Sequence, residues 1–143
     1  MQINVFSIEK KEDFQNEIKD FIKKSKQFAQ VNNHTLYSKN LSKSNNPKEE
    51  YSKIFAKYVN DGFNVILTPE GKLMDSYEFA DIFEHSKINF FIAGAWGFDE
   101  SFKKNGLNIS LSPLTMSHKV AKLVLFEQIY RALSIKNNHP YHK

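Results

Sequence analysis

The chain has 143 residues, 41% hydrophobic and 14% aromatic, which fits a single domain spanning 1–143 that buries roughly two thirds of its unfolded surface. It contains no cysteine, which excludes disulfides, thiolate metal sites and a cysteine nucleophile. The formal net charge is +4, carried by lysines from Lys10 to Lys143 and a single arginine, Arg131; such mild basicity suits a polyanionic partner such as RNA as readily as plain solubility.

The opening MQINVFSIEKKEDF places charges directly after a short apolar alternation, without a signal peptide's apolar region. No apolar run approaches the ~20 residues of a membrane helix, so a cytoplasmic protein without a membrane partner is expected. Ile3, Val5 and Ile8 alternate as in a strand, and Phe14, Ile18, Phe21 and Ile22 repeat as the apolar stripe of a helix whose other face is lysine-rich. His34 to Tyr37 is a candidate second strand. Lys39 to Pro47 is polar and aperiodic and reads as a mobile loop. A helix comes next, with Asn46 as N-cap, Pro47 in the first position, Glu49 and Glu50 in the first turn, and Tyr51, Ile54, Phe55 and Tyr58 as its stripe; Asp61-Gly62 ends it.

Asn64 to Leu67 suits a buried strand, closed by Thr68-Pro69-Glu70-Gly71, and Asp75 with Glu78 forms a capping box for a helix carrying Phe79, Ile82 and Phe83. The pattern recurs in Ile88 to Ile92, which runs into a turn with Gly94 and Gly97, then a short helix near Asp99 to Lys104 and a last strand at Leu107 to Leu111. Strands alternating with helices predict an α/β domain with a mostly parallel sheet covered by helices on both faces. The final helix, about Ser117 to Ile135, has two apolar stripes, one through Leu123, Phe126, Tyr130 and Leu133 and one through Ala121, Leu125, Ile129 and Ala132. Two-sided apolarity calls for burial against the sheet and against something else, with a second subunit the simplest candidate. Glu127 and Arg131 stand at ion-pair spacing.

Ligands of open α/β sheets bind beyond the carboxyl ends of the strands, which selects three loops: Leu67 to Gly71, Ala93 to Gly97, and Ser110 to Met116. The glycines of the second permit a tight turn, but the dinucleotide fingerprint and the Walker pattern are both absent. The tail Asn137-Asn138-His139-Pro140-Tyr141-His142-Lys143 offers two imidazoles, a phenol and carboxamides, a set suited to chemistry on a nucleobase or, more simply, to a frayed C-terminus. Two histidines three apart without further ligands make a poor zinc site.

From the glycine turn through SLSPLTMSH and QIYRALSIKNNHPYHK, the last third of the chain resembles the ribosomal RNA large subunit methyltransferase H family, small SPOUT-class enzymes with an N-H-P-Y-H tail or a related ending; pattern-level similarity reaches back through NVILTPEGK. The resemblance implies a C-terminal trefoil knot, a homodimer through the C-terminal helix, and S-adenosyl-L-methionine-dependent methylation at N3 of a pseudouridine in helix 69 of 23S ribosomal RNA, on the ribosome. It implies cofactor contacts from Leu67, Thr68, Gly94, Ser112, Pro113, Leu114, Thr115, Met116 and Ser117. Within the tail, Tyr141 is expected to position the base and His142 or Tyr141 to assist proton removal, while His118, Lys122, Arg131 and His139 support the substrate or bind phosphate. The chain departs from the family pattern at Ala93 and Trp96 in the glycine turn, at Ser117 before His118, at Lys122 in place of an arginine, and at Ser7-Ile8-Glu9-Lys10 in place of A-V-G-K. A non-catalytic RNA- or ribosome-binding knotted protein is the main alternative, and a purely structural dimer the third.

Overall fold

A computed structural model describes residues 1–143. Its strands are Gln2–Ile8 (β1), Gln30–Leu36 (β2), Phe63–Leu73 (β3), Lys87–Ile92 (β4) and Leu107–Ser110 (β5); its helices are Gln15–Ser25 (α1), Pro47–Phe55 (α2), Ser76–Asp81 (α3), Glu100–Lys103 (α4) and His118–Lys136 (α5). Every strand pair is parallel, in the order β2-β1-β4-β3-β5, so β4 enters between β1 and the earlier β3. Parallel pairing demands crossovers, and the helices supply them on both faces. Ile3, Val5, Val65, Phe90 and Ile109 meet Ile18 of α1, Phe79 of α3 and Leu125, Phe126 and Ile129 of α5. On the opposite face, Phe6, Ile66 and Phe91 meet Tyr51 and Phe55 of α2 and Phe102 of α4. Each such fully buried apolar side chain contributes on the order of 1.5–3 kcal/mol.

Local signals set several boundaries as expected. The Asn46 carboxamide accepts the Glu49 N–H at 3.4 Å to start α2, and Asp75 and Glu78 form the reciprocal capping box of α3. Asp99 opens α4 by accepting the Phe102 N–H at 2.8 Å.

Other expectations need correction. Every residue from Ile3 to Ile8 is buried, because β1 is central and covered on both faces. Phe14 is not part of the buried stripe of α1; it is the residue before the helix, in the left-handed region at φ 59°, and its ring is exposed. Lys39–Lys43 is a 3-10 turn capped by the Ser38 hydroxyl rather than irregular throughout. Helix α2 ends at Phe55 in a 3-10 turn, before Asp61-Gly62. Thr68-Pro69-Glu70-Gly71 does not close β3. Ile109 of β5 registers with both Leu67 and Lys72, so the four residues between loop out of the ladder and the strand resumes beyond them. Gly71 makes this return possible, since a Cβ there would lie 2.5–2.7 Å from the Ile109 backbone.

Much of the two-sided apolarity of α5 is met within the chain, where Leu125, Phe126, Ile129, Ala132 and Leu133 pack on the sheet and beside α1 and α3, while Ala121 and Leu123 near its start are only partly buried. No helix is long and apolar enough to cross a membrane. One feature had no counterpart in the apolar pattern: Asn32, Asn4, Asn89 and Asn64 stand in register across β2, β1, β4 and β3 and pass hydrogen bonds along the row at 3.1, 3.1 and 3.2 Å. Asn89 also donates to the Asp61 carbonyl at 2.6 Å.

Candidate active site

The loop-out of β3 at Leu67 to Gly71 and the loops Ala93 to Gly97 and Ser110 to Met116 beyond β4 and β5 together form one cavity of about 440 Å³. Leu67, Thr68, Gly94, Ser112, Pro113, Leu114, Thr115, Met116 and Ser117, the nine residues expected around a cofactor, all line it, and His118 joins them at the first position of α5.

Each loop has a local reason for its shape. In the first, the buried Thr68 hydroxyl donates to the Glu70 carboxylate; that bond, helped by the Lys103 ammonium, holds the carboxyl of Glu70 below the usual range. In the second, the Gly97 N–H donates to the Gly94 carbonyl at 3.2 Å, and Gly97 sits at φ 75°, where a side chain is strained. Gly94 has no room for one either, because a Cβ would press on the Tyr51 hydroxyl and lie 2.8 Å from Cζ of that ring. Tyr51 is buried beneath the turn, and burial pushes its phenol up, partly offset by the Trp96 backbone. The Trp96 side chain is 66% exposed and does not line the cavity, so the bulkiest departure from the family pattern leaves the cavity open. In the third, the Ser110 hydroxyl donates to the Ser112 carbonyl at 3.0 Å and the Ser112 hydroxyl accepts the Leu114 N–H at 2.9 Å, the serine turns that stand in for regular structure. Ser117 then caps α5 through the Val120 N–H at 3.3 Å.

Lys122 is not a substrate contact. Its ammonium turns inward, donating to Glu9 at 2.7 Å, Glu12 at 3.1 Å and Thr35 at 3.3 Å, and the Lys122 and Glu9 side chains are each 1% exposed. The departures at Glu9 and Lys122 are therefore the two ends of one buried ion pair. Burial raises the neighbouring Glu12 carboxyl, but hydrogen bonds from Asn33, Lys122 and Thr35 outweigh it and hold the group below its ordinary value.

The tail is ordered rather than frayed. Asn138 takes the left-handed conformation at φ 55°, His139 N–H reaches back to the Ser134 carbonyl at 2.9 Å and Asn138 N–H to the Ile135 carbonyl at 3.3 Å, a Schellman turn that folds the tail over the end of α5. Arg131 organises the residues beyond this turn. It donates through Nε to Glu127 at 2.7 Å and through Nη1 to His142 Nδ1 at 3.1 Å, with its guanidinium 4.8 Å from the centre of the Tyr141 ring. The Glu127 hydrogen bond pushes Arg131 up, so it stays charged. His139 is not placed with this group. Its ring packs edge-on against Phe28 at 5.7 Å and Tyr130 at 6.3 Å, with Nδ1 buried and unpartnered, so it wedges the tail between α5 and the turn that follows α1 instead of reaching toward a substrate. Tyr77, which sequence reasoning passed over, is 61% exposed and stands edge-on to His142 at 4.8 Å; an aromatic just after a helix N-cap carries no signal of its own.

No tail residue lines the cavity of its own chain. From His118 at the cavity wall to Arg131 under the tail, α5 spans ~20 Å at the helical rise.

The chain matches the family model described as a predicted SPOUT methyltransferase over residues 1–142. It is 44% identical to the ribosomal RNA large subunit methyltransferase H of a Nitratiruptor species, over 99% of each chain, and 43% identical to that of Campylobacter concisus, over 100% of each. Among solved structures, a tRNA methyltransferase from Aquifex aeolicus superposes with a TM-score of 0.57 at 15% identity, covering 92% of this chain and 70% of that one, a likeness of fold alone. The chain belongs to the SPOUT methyltransferase family and, within it, to the ribosomal RNA large subunit methyltransferase H group.

Proposed function

From that membership we propose that the chain is an S-adenosylmethionine-dependent methyltransferase acting on N3 of a pseudouridine in helix 69 of 23S ribosomal RNA, on the assembled ribosome, as a cytoplasmic homodimer with a C-terminal trefoil knot. The observation that carries the reading is the one cavity built jointly by the loop-out of β3 and the loops that follow β4 and β5. Its lining fits the cofactor: Leu67, Leu111, Pro113 and Met116 offer apolar walls for an adenine ring, and Thr68, Ser112, Thr115 and Ser117 offer hydroxyls for the ribose and the amino-acid end. Gly94 exposes backbone where a Cβ has no space. When bound, S-adenosylmethionine supplies a sulfonium methyl: the base nitrogen's electron pair forms the N–CH3 bond while the S–CH3 bond breaks and leaves its electrons on sulfur.

The chain's own task is then orientation. His118, at the positive end of α5, faces the cavity, and the tail residues Tyr141 and His142, held by Arg131, meet the base. Because the tail and the cavity of one chain lie apart, the reading places the tail of one protomer over the cavity of its partner. Exposed apolar side chains near the start of α5, Leu114 at 78% and Val120 at 40%, favour a partner covering that end. The non-catalytic alternative rests on the altered glycine turn, Ala93 and Trp96; the exposed Trp96 side chain does not line the cavity, and Ala93 lines it without closing it.

Calorimetric titration with S-adenosylmethionine tests the cofactor, with saturable binding expected in the native protein and lost in Gly94→Trp. A folded dimer that binds none returns the alternative. Mixing a Gly94→Trp chain with a His142→Ala chain tests the shared site: heterodimers should regain one working centre, and mixtures that stay inactive refute it.

A further inference from the structure

We propose that His142 serves the reaction as a hydrogen-bond donor through Nε2–H, and not as the base that removes the N3 proton; this rests on the methyltransferase reading. The guanidinium of Arg131 has five N–H donors and no acceptor. Its contact with His142 Nδ1 at 3.1 Å therefore requires a lone pair at Nδ1. A proton there would set two donors against each other. The ring's proton consequently sits on Nε2, and the nitrogen left to face a substrate is one that gives a hydrogen bond.

Two neighbours hold that state. Glu127 fixes the guanidinium with two bonds, Nε to Oε1 at 2.7 Å and Nη2 to Oε2 at 3.4 Å, so Arg131 cannot rotate away without breaking both. Tyr77 meets the imidazole at 4.8 Å with an interplanar angle of 89°, which fixes the plane of the ring. Tyr77 is thus a positioning residue, acting on the base only through His142.

The chemistry of the base says what such a donor does. When the N3–H bond breaks, its proton passes to solvent water and its electron pair stays on the ring, spread over the two carbonyl oxygens that flank N3. An Nε2–H aimed at one of those oxygens stabilises the negative charge as it forms and orients the nitrogen for attack on the methyl carbon. The electron pair then leaves N3 in the new N–CH3 bond, and the charge on the oxygens disappears with it. Selectivity arises from the same contact: the donor lowers the barrier for a ring whose reacting nitrogen lies between carbonyls and loses a proton, as in uracil-type bases, whereas the corresponding nitrogen of cytosine carries no proton and no anion forms there to be stabilised.

Substitution separates the two roles, because glutamine reproduces an N–H near the Nε2 position but has no basic nitrogen. With ribosomal RNA and S-adenosylmethionine, His142→Gln should keep kcat within about tenfold of the native protein, while His142→Ala falls by about 100-fold or more, as for loss of one oxyanion donor. Glutamine as inactive as alanine, with cofactor affinity retained in both, overturns the donor role. A second measurement needs no turnover: long-range 1H–15N spectra of the native dimer should show His142 with its proton on Nε2, and Arg131→Gln should let the other tautomer appear. An Nδ1–H tautomer in the native protein overturns the proposal. Tyr77→Ala should lower kcat by about tenfold with cofactor affinity unchanged, and Tyr77→Phe should restore it. A native protein that methylates no ribosomal RNA overturns the underlying reading, and the spectra identify that outcome separately.

Discussion

Replacing Lys122 by methionine removes one ammonium from a place that water does not reach. Lys122 and Glu9 are each 1% exposed and 2.7 Å apart, and Glu12, less buried, is 3.1 Å away. Methionine fills nearly the same volume, so the cost is electrostatic: Glu9 is left as an uncompensated buried carboxylate, with only the Ser7 hydroxyl at 3.2 Å to satisfy it. Breaking such a pair from one side costs ~3–5 kcal/mol. Against a total stability of about 5–15 kcal/mol this is roughly a fifth or more, and the melting temperature should fall by roughly 10 °C. Removing both ends should be far milder, so Glu9→Leu with Lys122→Met should recover most of the loss in urea unfolding. The acid dependence carries a second signature. Glu12 is held below its ordinary value of 4.5, so its contribution is complete above that pH and is lost as pH falls through the lower folded-state value; Lys122→Met should flatten this acid limb. A single variant that costs under ~1 kcal/mol, or a double variant as unstable as the single, would refute the buried-pair account.

Gly94→Ala should weaken S-adenosylmethionine binding by about tenfold or more in calorimetry, because the added methyl displaces the buried Tyr51 ring under the turn; Tyr51→Ala in the same chain should return part of the affinity. Gly71→Ala forces a Cβ against the Ile109 backbone, which cannot swing aside as a side chain can, and should cost about 1–3 kcal/mol in urea unfolding while disordering the Thr68 loop. Asn89→Ala strips partners from Asn4 and Asn64 at once and should cost about 1–3 kcal/mol by the same measurement, more than Asn32→Ala at the sheet edge. Asp99→Ala removes the cap of α4 and the acceptor of the Ser52 hydroxyl, for a loss of ~1 kcal/mol seen as a lower thermal midpoint.

Short-range chemistry was legible in the chain. Asn46-Pro47, Asp75 with Glu78, Asp99 and Ser117 mark helix starts because a cap is a contact between residues three apart, and that spacing is written in the sequence. The cavity was legible for a related reason, since loops after apolar strands of a parallel sheet converge on one edge. What escaped notice depends on partners distant in sequence. Thr68 to Gly71 reads as a terminator until Ile109, nearly forty residues on, pairs with both of its feet. Lysine at 122 reads as a substrate contact until Glu9 is brought to it from the other end of the chain. Asparagines within strands count against strand propensity one at a time, and only their common register turns them into a hydrogen-bonded row. The placement of Tyr141 and His142 away from their own chain's cavity is of this kind too, because it depends on which way α5 carries them.

The Schellman turn at Asn138 welds the tail to the last turn of α5, and Ser117 welds the first turn to the cavity wall, so the helix between them acts as a ruler with chemistry at each end. One residue added within it would advance the tail by ~1.5 Å but swing it by about 100° around the axis, carrying His142 to a different side of the molecule. The number of residues in α5 is thus as much a constraint on the reaction as the identity of any side chain in the tail.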